Sequence, residues 1–387
     1  MTAEITRLSG LTTSLIRSFA AAAPPDTVSL ALGEPGWPLP EPARDAMRRW
    51  TFEADLCLYG PNQGIDELRS ALTRRAQTPE DHIMVTAGSQ AALYALITAH
   101  IEPGRGVALP DPGFPAYRTL THLAGGTAVT YPLGDDGSLD AAALIDTLDR
   151  HTRTGAPPVR MLILNHPGNP TGGGASREAL AHVAQACAVR DIIIVSDEVY
   201  RELPYAAPQP SLRDVTDEGI VTESVSKAWA APGLRVGWAI GPAALLAPAR
   251  LVHNAMTTAA ARPSQLAAAA LLDSSPAVLA TSQAELAARW KLVDQHAPGW
   301  LSTVPAPSGG FYLWAPVPEP DVEPPEVDPQ RWVTALRDLG GVSVVPGSAF
   351  GTAGRRHVRI SIGGPRADLV EGLRRLCAFG QGGSTDG

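Results

Sequence analysis

Two short apolar runs, residues 159–166 (VRMLILNH) and 191–197 (DIIIVSD), each end in polar side chains. Strands buried on both faces of a parallel sheet read this way. Between them, SREALAHVAQACAVR sets Leu180, Val183, Ala184 and Cys187 at helical spacing, which predicts a strand, helix, strand unit. Further strands are predicted at 83–86, 107–109, 128–131, 219–222 and 235–240, several alternating with helical stretches. The pattern is that of an α/β fold: an open, mostly parallel sheet sandwiched by helices, with a site at the carboxyl ends of its strands.

From about residue 265 the pattern changes to long Ala/Leu-rich helix, broken near Ser275 and Pro276. Three short strand-like stretches follow, PSGGFYLWAPV, GVSVVPGSAFG and RHVRISIG, then a helix over 366–377. This end of the chain predicts a smaller α+β domain. The acidic, proline-rich stretch 316–329 breaks any helix and reads as a surface loop, and the tail from Gly380 is expected to fray.

Composition narrows the function. At 387 residues the chain is long enough for two domains, and 44% apolar with 18% charged residues is the balance of an ordinary globular enzyme. A net charge of -8, with no run of Lys and Arg, argues against nucleic-acid binding. The three cysteines, Cys57, Cys187 and Cys377, are scattered and suit a reducing cytoplasm. No His or Cys spacing suggests a metal, and no leader or membrane-spanning run is expected. No G-x-G-x-x-G follows a strand, so a dinucleotide fold has no support.

Basic charge is almost all arginine; the chain has two lysines, Lys227 and Lys291. Lys227 lies in TESVSKAWAAPGLRVGW (222–238), among small and apolar neighbours. Lysine, unlike arginine, can lose its proton and form a Schiff base. Three other polar stretches sit where strands are expected to end. VTAGSQAALYAL (85–96) runs from strand through Gly88 and Ser89 into helix, either an anion site or plain capping by Ser89. NHPGNPTG (165–172) is a turn, in which Asn169–Pro170 could be cis and His166 reads as a structural histidine. VSDEVYREL (195–203) puts Asp197 directly after an apolar strand, either as a helix cap or structural ion pair or as a carboxylate that keeps a ring nitrogen protonated.

Together and in this order, the four stretches resemble the class I and II aminotransferases, fold-type I enzymes dependent on pyridoxal 5'-phosphate. The likeness is carried by S-x-S-K-x-x-x-x-x-G-x-R-x-G at Ser224, Ser226, Lys227, Gly233, Arg235 and Gly237, with NPTG and DEVY at the expected places, and it runs from about residue 8 to 377. It implies that Lys227 forms the Schiff base with the cofactor and shuttles the substrate's proton. It further implies that Asp197 pairs with the pyridine nitrogen and that Tyr200 and Asn169 bond the phenolic oxygen, while Phe114 stacks on the ring. The phosphate would rest on Ser89, Gln90, Ser224 and Arg235, with Tyr59 reaching in from a second subunit. Arg359 and the Gly33 backbone would hold the substrate carboxylate, and Trp37, where the family often has Asp-Phe, would stand near the entrance. The expected division is 45–283 as the large cofactor-binding domain, and 1–44 with 284–387 as the small one.

The implied activity is transfer of an amino group from an L-amino acid to a 2-oxo acid such as 2-oxoglutarate, in a cytoplasmic homodimer. The same residues could support elimination, cyclisation or oxidation of an amino acid. A second arginine for a side-chain carboxylate is not motif-certain; Arg17 and Arg262 are the candidates.

Overall fold

In the computed structural model, described for residues 11, 15–53, 57–318 and 329–381, a seven-stranded sheet carries most of the chain. The strands are β1 (Val28–Ser29), β2 (Ile83–Thr86), β3 (Gly106–Asp111), β4 (Thr127–Pro132), β5 (Val159–Asn165) and β6 (Ile193–Asp197), then β7 (Ile220–Ser224), β8 (Gly237–Ile240), β9 (Tyr312–Pro316), β10 (Val342–Ser343), β11 (Val345–Pro346) and β12 (His357–Ser361). The helices are α1 (Leu15–Ala21), α2 (Glu41–Glu53), α3 (Asp66–Ala76), α4 (Ser89–His100), α5 (Pro115–Leu123) and α6 (Ala141–Arg153), then α7 (Arg177–Ala188), α8 (Ala243–Thr257), α9 (Arg262–Asp273), α10 (Ser275–His296), α11 (Pro329–Asp338) and α12 (Arg366–Gln381). The proline-rich stretch lies almost wholly outside the described residues, as does the tail beyond α12.

The large sheet has the order β2-β8-β7-β6-β5-β3-β4. Its pairs are parallel except that β8 runs antiparallel to both β7 and β2. β6 and β7 are buried at every residue, as strands covered by helices on both faces must be. Met161, Ile163, Val195 and Ile220 pack on one side with α4 and α8. Leu162, Leu164, Ile194 and Val221 pack on the other with α6 and α7. Helix starts follow ordinary capping: Ser176 Oγ accepts the Ala179 N–H at 3.1 Å before α7, and Asp140 caps α6. The helical run past residue 265 breaks between α9 and α10, where Pro276 sits in the first turn of α10.

A second sheet, β11-β12-β9, is antiparallel. β1 pairs with β10 in parallel, and the Ser361 N–H donates to Leu30 O at 2.8 Å, so residues near one end of the chain are fastened to residues near the other. Asp197, Asn165 and Ser224 all stand at the last residue of their strands, on the edge that faces this junction.

Candidate active site

β7 delivers Ser224 to its carboxyl end, and the chain then turns through 225–231 before β8. Val225, Ala228, Trp229, Ala230 and Ala231 are all buried, which accounts for the small and apolar neighbours of Lys227. Trp229 fastens the turn: its indole N–H donates to Ser275 Oγ at 3.1 Å, Trp238 meets it edge-on at 5.8 Å, and Arg75 lies 5.0 Å over its ring. Lys227 is left half-buried, with Nζ donating to the Gly33 carbonyl at 2.6 Å and standing 5.7 Å from the Tyr200 ring and 5.8 Å from that of Phe311. Burial holds its proton affinity below that of an ordinary lysine.

Asp197 ends β6 and is buried. Its Oδ2 accepts the Tyr117 hydroxyl at 2.7 Å, while Oδ1 is buried with no hydrogen-bond partner. Burial pushes the carboxyl up to about 6, opposed first by Tyr117. The Asn165 side chain holds the backbone here, donating to Asp197 O at 2.9 Å and accepting from the Asn169 N–H at 2.8 Å. His166–Pro167 and Asn169–Pro170 are both cis, the second as the turn suggested. His166 is buried with Nε2 2.9 Å from Ser196 Oγ.

The start of α4 has the geometry that an anion would need. Gly88, at φ 89°, turns the chain out of β2 so that α4 opens at Ser89 with its first amides free of helical partners. A Cβ on Gly88 would lie 2.5 Å from Arg235 Nη2, so the guanidinium sits against this turn. A Cβ on Gly237 would lie 2.4 Å from Ser89 N, and the glycine lets β8 approach the same place. Ser224 is buried and its Oγ accepts the Ser226 N–H at 3.3 Å; Arg235 is exposed, with Nη1 on Pro232 O at 2.8 Å.

Opposite lies Arg359, on β12 and 2% exposed. Its Nη1 donates to Asn169 Oδ1 at 2.8 Å and Nη2 to Ala31 O at 2.6 Å, and Nε has no hydrogen-bond partner. The Tyr312 and Phe350 rings lie 4.4 Å and 4.9 Å from its Cζ. Burial lowers its proton affinity without a carboxylate to restore it. A buried guanidinium held only by neutral groups is a site for an anion.

Lys227, Asp197, Tyr200, Asn169, Gly33 and Arg359 are thus linked through shared contacts, with Tyr200 joined to Arg359 by way of Tyr312. Phe114 is half-buried and meets Tyr117 edge-on at 5.6 Å. Gln90 is exposed, and Tyr59 is 91% exposed on the segment before α3. Trp37 is buried, with its indole N–H on Ser282 Oγ at 3.3 Å, Arg289 4.7 Å from its ring and Phe311 edge-on at 6.5 Å. Arg262 is exposed at the start of α9, and the Arg17 side chain lies outside the described residues. Tyr117, Phe311 and Tyr312 belong to the site although no role was expected of them from the sequence. Among the described residues no cluster of His, Cys, Asp or Glu is arranged to hold a metal, and no helix is long and apolar enough to cross a membrane.

The unpartnered Asp197 Oδ1 is a buried acceptor, and it fits a group bringing a protonated ring nitrogen. The cradle at Gly88 and Ser89 fits a phosphate, and the deprotonation-prone amine of Lys227 fits an aldehyde carbon. These are the parts of pyridoxal 5'-phosphate. The profile of the family described as aminotransferase class I and II matches residues 25–376. Valine–pyruvate aminotransferase of Mycobacterium tuberculosis is 32% identical over 365 residues, covering 91% of this chain and 90% of that protein. Among solved structures, N-succinyldiaminopimelate aminotransferase from M. tuberculosis superposes with a TM-score of 0.87 at 28% identity, covering 97% of this chain and all of the other. Aspartate aminotransferase from Thermus thermophilus with maleate gives 0.86 at 27% identity over 98% of this chain. The chain belongs to the class I and II aminotransferases and is a pyridoxal-phosphate-dependent enzyme of that family.

Proposed function

We propose that this enzyme takes the amino group of an L-amino acid and gives it to a 2-oxo acid such as 2-oxoglutarate. The observation that carries the reading is one site with three incompletely satisfied charges: the Lys227 amine, Asp197 Oδ1 and the Arg359 guanidinium. When bound, pyridoxal phosphate supplies an electron-withdrawing ring that stabilises negative charge at the substrate Cα. Asp197 would hold the proton of the ring nitrogen, and a protonated nitrogen beside it would favour the ionised carboxylate. Tyr200 and Asn169 hold the phenolic oxygen, and Phe114 covers the ring. The Ser89 and Gln90 amides, Ser224 and Arg235 hold the phosphate.

Arg359 grips the substrate carboxylate with both amino groups, helped by Asn169 and the Gly33 backbone. Lys227, whose proton affinity burial lowers, would take up the proton that leaves the substrate Cα and give it back during the transfer. Trp37 backs the aromatic wall through Phe311. Residues 45–283 act as the cofactor-binding domain, and 1–44 with 284–387 as the domain that brings Arg359 and Gly33.

The working unit in this reading is a cytoplasmic homodimer in which Tyr59 reaches the partner's phosphate. Phe52, Leu58, Tyr59 and Leu251 are 88%, 61%, 91% and 72% exposed, which supports a second copy as their cover. A donor screen tests the activity: protein loaded with cofactor is mixed with single L-amino acids, and the absorbance change to the amine form is followed, then reversed with 2-oxo acids. Conversion that reverses supports transfer. No conversion with any donor, or ammonia released without an acceptor, overturns it.

A further inference from the structure

Tyr312 opens β9 and is 1% exposed. Its ring faces the Arg359 guanidinium at 4.4 Å, and its hydroxyl lies 2.8 Å from that of Tyr200. A Cβ on Gly33 would meet the Tyr312 hydroxyl at 1.8 Å, so the same oxygen touches the backbone whose carbonyl accepts the Lys227 bond. One side chain therefore contacts the carboxylate-side arginine, the tyrosine beside the lysine, and the segment bonded to the lysine.

Two hydroxyls at this distance share one proton along the line between them, and each oxygen donates once. What lies on the far side of Tyr200 decides the direction. An acceptor there takes the Tyr200 proton, and Tyr312 is then the donor to Tyr200. A hydroxyl that accepts one hydrogen bond donates the next more strongly, because the two bonds polarise each other. We propose that Tyr312 is a positioning residue for amine transfer: its hydroxyl, donating to Tyr200, orients and strengthens the bond Tyr200 makes to the cofactor's phenolic oxygen. Its ring at the same time sets the plane of Arg359. The inference rests on the reading of Tyr200 as the partner of that oxygen.

The test is a spectroscopic pH titration of the cofactor-loaded protein without substrate, together with cofactor dissociation constants. A donor to the phenolic oxygen would stabilise its negative charge, so loss of the donor would raise the pH midpoint of the absorbance change. Tyr200→Phe is expected to raise the midpoint by about one pH unit or more, and Tyr312→Phe by about half that. In the Tyr200→Phe background, Tyr312→Phe is expected to add nothing, because a relay has no effect once its second member is gone. Tyr312→Leu, which removes the ring as well as the hydroxyl, is expected to raise KM about tenfold. An unmoved midpoint in Tyr312→Phe overturns the proposal, as does the same shift in both backgrounds. If Tyr200→Phe itself leaves the midpoint in place, the role given to Tyr200 falls and the relay with it; a Tyr200 effect without a Tyr312 effect removes the relay alone.

Discussion

Asp197 and Glu198 are neighbours, both buried and both pushed up by burial, to about 6 and about 7. Their surroundings differ. Glu198 belongs to a cluster in which Arg201 reaches Glu198 at 3.2 Å, Glu202 at 2.9 Å and Glu223 at 3.4 Å, while Arg75 pairs with Glu202 and the Leu212 N–H donates to Glu198 at 2.8 Å. The cluster lines a cavity of about 320 Å³ with Trp238 and Arg213. Each carboxylate in it has a guanidinium within 4 Å. Buried Glu198 Oε2 and Arg201 Nε lack a hydrogen-bond partner as well, but the side chains of Asp197, Lys227 and Arg359 are bonded only to a hydroxyl, carbonyls and an amide, with no oppositely charged group among their hydrogen-bond partners. A raised carboxyl therefore says only that a group is buried. What separates the two clusters is which charges have a counter-charge bonded to them.

That contrast can be broken by substitution. Lys227→Ala is expected to lower turnover by more than about a thousandfold, with Lys291→Ala unchanged in the same steady-state assay. Equal loss in both would remove Lys227 from the chemistry. Arg359→Ala is expected to reduce kcat/KM by about a hundredfold, mainly through KM, and Asp197→Ala to reduce kcat by a similar factor of about a hundred while weakening the cofactor. Arg201→Met should do the opposite of these: about 3 kcal/mol less stable in urea unfolding, with kcat within about threefold of the parent. A catalytic loss at unchanged stability would place the rear cluster in the reaction.

The smallest effect concerns pH. In the cofactor-free fold Asp197 keeps its proton from the ordinary 3.8 up to about 6, where the unfolded chain has lost it. Stability due to this group therefore falls as pH rises through that window. Asp197→Asn, which keeps an acceptor for Tyr117, should raise the melting temperature of the cofactor-free protein by about 1–3 °C at pH 8 and leave it unchanged near pH 4. A gain of the same size at both pH values would mean that the carboxylate charge is not what costs stability.

Much of this was legible in the sequence because the large sheet writes its strands as apolar runs with a polar residue at the end, as at Asp197 and Ser224. The direction of β8 was not, since an antiparallel strand buried on both faces has the same composition as a parallel one. The signature around Lys227 carried Arg235 and Gly237, whose close approach to Gly88 and Ser89 gives them a spatial reason; nothing lies within 4 Å of where a Cβ on Gly233 would be. Tyr117 and Tyr312 stayed hidden because their partners are 80 and 112 residues away and no local spacing encodes such a pair. The family likeness set Trp37 near the entrance; its contacts, with Phe311, Ser282 and Arg289, join residues too far apart in the chain for local spacing to show.

The fastening of Val28–Leu30 to residues 341–343 and 361 has a consequence for the order in which the enzyme is made. On the ribosome, strands β2 to β8 emerge in sequence and their partners are all present once β8 is complete. Val28, Ser29 and Leu30 are translated before any of them, yet wait for Val342, Ser343 and Ser361. Until then Gly33 has no fixed place from which to meet Lys227, and Arg359 does not yet exist. The contacts of Arg359 with Asn169 and Ala31 form only after β12 has been synthesised.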